Sequence, residues 1–199
     1  AKPKAAKPAP AAEPAPATQT AESANKPQSM DSWTQTGGQG GSNPGGKFKD
    51  PDGVEWYCKF PPDEDHAKAE VLAAKLYSAL GIQAQDAKLI TKDGKIGIAS
   101  RWHDVKKVSA SNLAKNKTAL AGFAADAWLG NWDVVGMGAD NLQIDSNGDA
   151  MRVDAGGSLM FRAQGGKKSF GDQVTEMDSM RDAAVNPHAA AVFGKMTKA

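Results

Sequence analysis

The chain of 199 residues has one cysteine, Cys58. That excludes an internal disulfide framework and a multi-cysteine zinc site. Its three histidines, His66, His103 and His188, are scattered, so no histidine-based metal cluster is expected. No run approaches the roughly 18 consecutive apolar residues of a membrane span. Nor is one charge in excess: 24 Lys+Arg stand against 23 Asp+Glu, net +1. A protein that bound nucleic acid through bulk charge would carry a clear basic excess, so no specific nucleic-acid partner is expected. The chain opens on Ala1-Lys2-Pro3-Lys4, with no initiator methionine and no apolar signal core, and reads as a fragment or a processed product. Hydrophobic residues at 40% and charged residues at 24% suit a globular protein. The expected location is the cytoplasm, with a secreted effector or a virion component as alternatives.

No large apolar side chain occurs before Met30, and six of the eleven prolines fall at Pro3, Pro8, Pro10, Pro14, Pro16 and Pro27. Such a segment cannot bury enough surface to offset its ordering entropy. Residues 1–32 are therefore expected to be a disordered Ala/Pro-rich linker that tethers residues 33–199 to another domain or partner. The remaining chain, about 165 residues, suffices for one core.

Within it, residues 37–46 hold six glycines. Asp50-Pro51-Asp52-Gly53 is a turn, because proline presets φ and glycine accepts positive φ. Residues 54–60 read as a strand with Val54, Trp56, Cys58 and Phe60 on one face and Glu55, Tyr57 and Lys59 on the other. After Pro61-Pro62, residues 65–80 read as a helix with an apolar stripe of Ala69, Leu72, Ala73, Leu76 and Leu80, ended by Gly81. Strands over Ala87–Thr91 and Lys95–Ser100 flank Asp93-Gly94, a hairpin signal. A second, largely apolar helix is predicted over 117–129. A hairpin over 141–145 and 150–154 follows, then a mixed helical tail over 172–199. Strands and helices in separate blocks indicate an α+β protein in two lobes.

Three motifs fail on context. Gly41 to Lys47 fits G-x-x-x-x-G-K, but Phe48 stands where Mg²⁺ needs Ser or Thr, and a turn follows rather than a helix. Asp145-Ser146-Asn147-Gly148-Asp149 opens like an EF-hand, yet Ala150 and Gly156 occupy its glycine and glutamate positions. Cys58 faces away from Lys59 with no histidine partner nearby and reads as a small core residue.

What remains is an ordered set. A glycine-rich loop leads into a strand carrying Lys59, and a helix bearing Glu70 follows. Asn131-Trp132-Asp133, Asp140-Asn141 and Val153-Asp154-Ala155-Gly156-Gly157 lie downstream. Phosphoryl transfer needs these groups: a loop over phosphates, a lysine with its carboxylate, an aspartate at the acceptor, and an Asn and an Asp for Mg²⁺.

Over roughly residues 35–170 the sequence resembles the HipA-like and phosphoinositide-kinase-like branch of the protein-kinase-like fold. Asn131-Trp132-Asp133 matches the start of that family's catalytic loop. Glu70 to Tyr77 followed by Gly81-Ile82 is similar to its helix, and Val153-Asp154-Ala155-Gly156 resembles its metal-binding D-x-G turn. The resemblance implies an α+β kinase-like domain: a small β-rich N-lobe with one helix, and a mainly helical C-lobe; the sequence departs from the family in that the lobe after Asp154 is short for a kinase. It implies an ATP- and Mg²⁺-dependent kinase acting on a protein or small-molecule hydroxyl, or a nucleotide-binding pseudokinase or interaction module of a larger assembly. Gly40, Gly41 and Ser42 would cover the nucleotide, with Lys59 on its α/β-phosphates and Glu70 as the ion-pair partner of Lys59. Asp133 would face the acceptor, and Asn141 and Asp154 would be Mg²⁺ ligands. Asp133 and Asn141 are eight residues apart where the family has five, so either the loop is longer or Asp140 takes one of the roles.

Overall fold

A computed structural model describes residues 26–196. The expected linker lies outside the described residues for positions 1–25. Its last part is structured: Gln28–Ser29 form strand β1 and the Met30 side chain is buried.

Six strands form the larger sheet. After β1 come β2 (Thr34–Gly37), β3 (Gly45–Lys49), β4 (Glu55–Lys59), β5 (Ala87–Lys92) and β6 (Lys95–Arg101). Their order is β1-β5-β6-β4-β3-β2, antiparallel except for the parallel β1–β5 pair. The turns have local causes. Asp50 Oδ1 accepts from the N–H groups of Asp52 and Val54, and Gly53 has φ +79°. Asp93 and Gly94 both take positive φ, +50° and +73°, as a two-residue hairpin with the right-handed strand twist requires. Alternation along β4 buries Trp56 and Cys58 in a cluster with Met30, Trp33, Phe48, Ile90 and Ala99.

Helix α1 (Glu64–Ala79) packs on the sheet. Asp63 caps it by accepting from the Asp65 N–H at 2.8 Å, and Gly81 leaves it at φ +70°. The expected stripe is wrong in part: Leu72 and Leu80 are about half exposed. The helix is buried on two sides instead of one. Ala67 and Val71 meet Ile98 of the sheet, while Ala69, Ala73 and Tyr77 meet Ala125, Leu129 and Phe161 of the helical region.

That region contains α2 (Ala110–Leu113), α3 (Lys117–Ala121), α4 (Phe123–Trp128), the β7–β8 ribbon (Leu142–Ile144 and Ala150–Arg152), α5 (Glu176–Ser179) and α6 (Pro187–Phe193). The single helix expected over 117–129 is broken at Gly122. A Cβ there would lie 2.1 Å from Nη2 of buried Arg152, so the chain bends around that guanidinium. Among the described residues the tail is helical only in the short α5 and α6. Among the described residues no helix is long and apolar enough to cross a membrane.

Candidate functional site

Lys59 ends β4, and its ammonium turns toward α1. It lies 2.8 Å from Glu70 Oε1 and 3.1 Å from Asp154 Oδ2. The Lys59 side chain is 14% exposed and that of Glu70 only 3%. Burial pushes the Glu70 carboxyl up to about 7, against the opposing pull of Lys59. Burial alone would lower the Lys59 pKa, but Asp154 and Glu70 outweigh it and raise it. Burial likewise works against the Asp154 anion, yet Lys59 and the Gly156 N–H hold Asp154 below the usual carboxylate range.

The strand and the turn that present these groups depend on glycine. A Cβ on Gly45, which pairs with Lys59 across β3–β4, would lie 2.1 Å from the Cys58 carbonyl oxygen. A Cβ on Gly156 would come within 3.0 Å of both Asp154 Oδ1 and Glu70 Oε2. The Gly156 N–H donates to Asp154 Oδ1 at 2.8 Å, and His66 Nε2 donates to the Gly156 carbonyl at 2.8 Å while its ring stacks on Phe161. His66 therefore fixes the turn that carries Asp154. Lys168 adds a second clamp, donating to the carbonyls of Gly130 and Gly157, and burial lowers its pKa to about 8.

Asp133 stands across the cleft floor. Asn141 Nδ2 donates both to its Oδ2, at 3.0 Å, and to its carbonyl, at 2.9 Å. The long segment between them folds into tight turns. Gly136 N–H donates to the Asp133 carbonyl and Ala139 N–H to the Gly136 carbonyl, with φ +76° at Gly136 and +54° at Ala139. Eight residues of separation thus still leave Asn141 in hydrogen-bond contact with Asp133. Burial, then the nearby Asp154 charge, raise the Asp133 carboxyl. Asp140 is exposed, its carboxylate packed against Gly136.

Gly40, Gly41 and Ser42 roof a cleft of about 670 Å³ whose floor includes Asp133, Asn141 and Asp154. The roof is tied down: the Gly40 N–H donates to the Tyr57 hydroxyl at 2.8 Å. An adjoining recess of about 100 Å³ contains Lys59, Ser42 and Asp154. Lys47 Nζ lies 3.3 Å from the Trp102 ring centre at the cleft's edge. The structure therefore brings Lys59, Glu70, Asp154, Asp133 and Asn141 together beneath the glycine loop. Cys58 is buried behind them, and burial pushes its thiol up to about 12.

Sequence reasoning put Tyr57 on the lysine face without a role and counted His66 only as one of three scattered histidines. It also missed a buried network in which Arg152 donates from Nε and Nη2 to Asp126 at 2.9 and 2.7 Å. Tyr77 donates to Asp126 at 2.9 Å, and Asn131 Nδ2 donates to the Tyr77 hydroxyl at 3.0 Å. This network sets the position of Asn131, two residues before Asp133.

No group of three or more His, Cys, Asp or Glu among the described residues is arranged to hold a metal. Asn141 and Asp154 still suit Mg²⁺, which takes hard oxygen donors and is commonly held by one or two carboxylates together with substrate phosphates. Gly41, Ser42 and Asn43 line the recess together with Lys59, and a glycine loop with a short hydroxyl side chain beside a lysine is a surface that suits phosphate oxygens.

No family model matches the chain, and no curated protein matches it. Among solved structures it is similar to the Helicobacter pylori proinflammatory kinase CtkA, with 19% sequence identity and a TM-score of 0.48. The match covers 67% of this chain and 61% of that one, so the chain spans less than two thirds of the kinase's length.

Proposed function

We propose that this chain is a two-lobed, kinase-like, ATP- and Mg²⁺-dependent phosphotransferase acting on a protein or small-molecule hydroxyl. The observation that carries this reading is the buried Lys59 ammonium, held between Glu70 at 2.8 Å and Asp154 at 3.1 Å beneath a glycine hairpin. A lysine buried between two carboxylates and lining a recess with Gly41 and Ser42 is a charge constellation of the kind that functional sites use.

In this reading Lys59 holds the α/β-phosphates, and Glu70 keeps its ammonium directed at them. Asn141 gives both amide hydrogen bonds to Asp133, which leaves its Oδ1 as a donor to a cation beside Asp154. Mg²⁺ bound there would neutralise charge on the β- and γ-phosphate oxygens. Asp133 accepts the proton of the acceptor hydroxyl, and its raised pKa brings it nearer the working pH than an exposed aspartate.

The test combines melting temperature with transfer of γ-labelled phosphate. ATP with Mg²⁺ should raise the melting temperature more than ATP alone. Asp133→Asn should keep that shift but lose transfer by about 10²–10⁴-fold. Asp154→Asn should lose both. A wild-type protein with no Mg²⁺-dependent shift and no ATP consumption with any acceptor overturns the reading.

A further inference from the structure

A second cavity beside Asp133 bears on which acceptor the phosphotransfer reading requires. It measures about 470 Å³ and shares Gly136 and Met137 with the cleft. That volume is within the roughly 300–1,000 Å³ of ordinary ligand pockets. It is open to solvent, and two further elements line it. The connector after β6 brings Lys107, Val108 and Ser109, and α6 brings Pro187 and His188.

Both walls are anchored to the site. Lys106 exchanges backbone hydrogen bonds with Ile144 at 2.7 and 2.9 Å, which fixes the adjoining Lys107. Asn186 accepts from the Ala189 N–H as the α6 cap and donates its Nδ2 to the Trp132 carbonyl at 2.9 Å. Helix α6 is thereby tied to the residue next to Asp133, with His188 two positions beyond the tie.

The two cavities differ in charge. The cleft is lined by Asp104, Asp133, Asp140 and Asp154 against Lys47 and His103. Among the described residues the ionisable side chains lining the second cavity are Lys107 and His188, and the Asp140 carboxylate stands at its border beside Gly138. Lys107 marks the boundary: its Nζ and Asp140 Oδ2 lie 3.0 and 3.4 Å from the point a Cβ on Gly138 would occupy. A negative group beside the acceptor hydroxyl is repelled by the four aspartates and drawn past Met137, which is 81% exposed, toward Lys107 and His188. Val108, Pro187 and Ala191 offer apolar contact to the stem of a side chain.

We propose that this cavity is an acceptor subsite for an acidic side chain, and that the acceptor is an acidic protein segment with Asp or Glu next to the phosphorylated hydroxyl. As an acceptor subsite it rests on the phosphotransfer reading, but its binding chemistry can be measured without ATP.

The experiment uses the full chain and three peptides with one central serine, flanked by Glu, Ala or Lys. The Glu peptide should bind at least about tenfold tighter than the Lys peptide. It should also shift the amide NMR signals of Lys107, Ser109 and His188. Lys107→Gln should erase the preference, and Lys107→Glu with His188→Glu should reverse it. Both positions are exposed, so folding should survive, as an unchanged melting temperature would verify. No preference for the Glu peptide, or shifts located elsewhere, overturns the proposal. So does occupation of the same amides by citrate when the Glu peptide leaves them unmoved, since the anion site would then not take a peptide. A missing Mg²⁺-ATP response in wild type refutes the phosphotransfer reading separately, because peptide binding is read without nucleotide.

Discussion

Glu70 is a carboxyl group almost wholly withdrawn from water, with a single short contact to Lys59 and a second oxygen that has no partner among the described residues. Its pKa, about 7 in the fold against 4.5 when unperturbed, gives stability a definite pH dependence. Between those values the folded state holds a proton that the unfolded chain releases. The contribution of this group is complete below about 4.5 and is lost as pH rises through about 7. Glu70→Gln stays neutral throughout. The stability of wild type relative to Glu70→Gln should therefore fall between pH 4.5 and 8, by on the order of 3 kcal/mol. For a chain of this size that is roughly 6–12 °C in relative melting temperature. A difference that stays flat over this range would show that Lys59 fully compensates the buried charge. The same variant should lose phosphate transfer, because Lys59 would then be held by Asp154 alone.

Helices α3 and α4 meet at Gly122 because the Arg152 guanidinium fills the space its side chain would need. The glycine φ of −81° is open to any residue, so the requirement is room and not backbone freedom. Gly122→Ala places a Cβ 2.1 Å from Nη2 and must push Arg152 away from Asp126, a pair with no exposed surface. Disrupting a buried pair costs about 3–5 kcal/mol. The melting temperature should drop by roughly 6–20 °C, measured by calorimetry at pH 7. A drop below about 2 °C would show that the guanidinium relaxes freely. The break also shows what the sequence could and could not reveal. The strand read over 54–60, the Asp93-Gly94 hairpin and the Gly81 end of α1 were legible because their causes lie within a few residues. The lysine, the glutamate and the three loop residues were legible as an ordered set. Arg152 was not, because it looked like an ordinary polar residue before Val153, and Asp126 sits inside a run that reads as apolar. Leu72 misled for a related reason. A helix packed between two regions has no single stripe, so small Ala67 and Ala73 are buried while a leucine is left outside. His66 gave no local signal, since its partner carbonyl at Gly156 is 90 residues away.

Across the molecule, α1 connects the packing of the sheet to that of the helical region, and Lys59 reaches from the first to Asp154 beside the second. The sheet's own core begins earlier than composition suggested. Strand β1 adds an edge beside β5, pairing Gln28 with Ile90 and Ser29 with Thr91. The Met30 N–H donates to the Thr91 carbonyl at 3.0 Å, and its side chain, 3% exposed, packs in the cluster that holds Trp33, Trp56 and Cys58. Cys58 adjoins Lys59 on β4, so this edge supports the strand that presents the lysine. Residues 1–25 contain no large apolar side chain that could add to that cluster. A chain beginning at residue 26 should therefore melt within about 2 °C of the full chain. A chain beginning at residue 33 loses Met30 and the β1 pairing. Removing a buried methionine side chain costs about 2–5 kcal/mol, so this chain should melt several degrees lower. Equal melting of the two truncations would show that β1 and Met30 contribute nothing to the sheet, and a large loss on removing residues 1–25 alone would show that the polar segment packs against it.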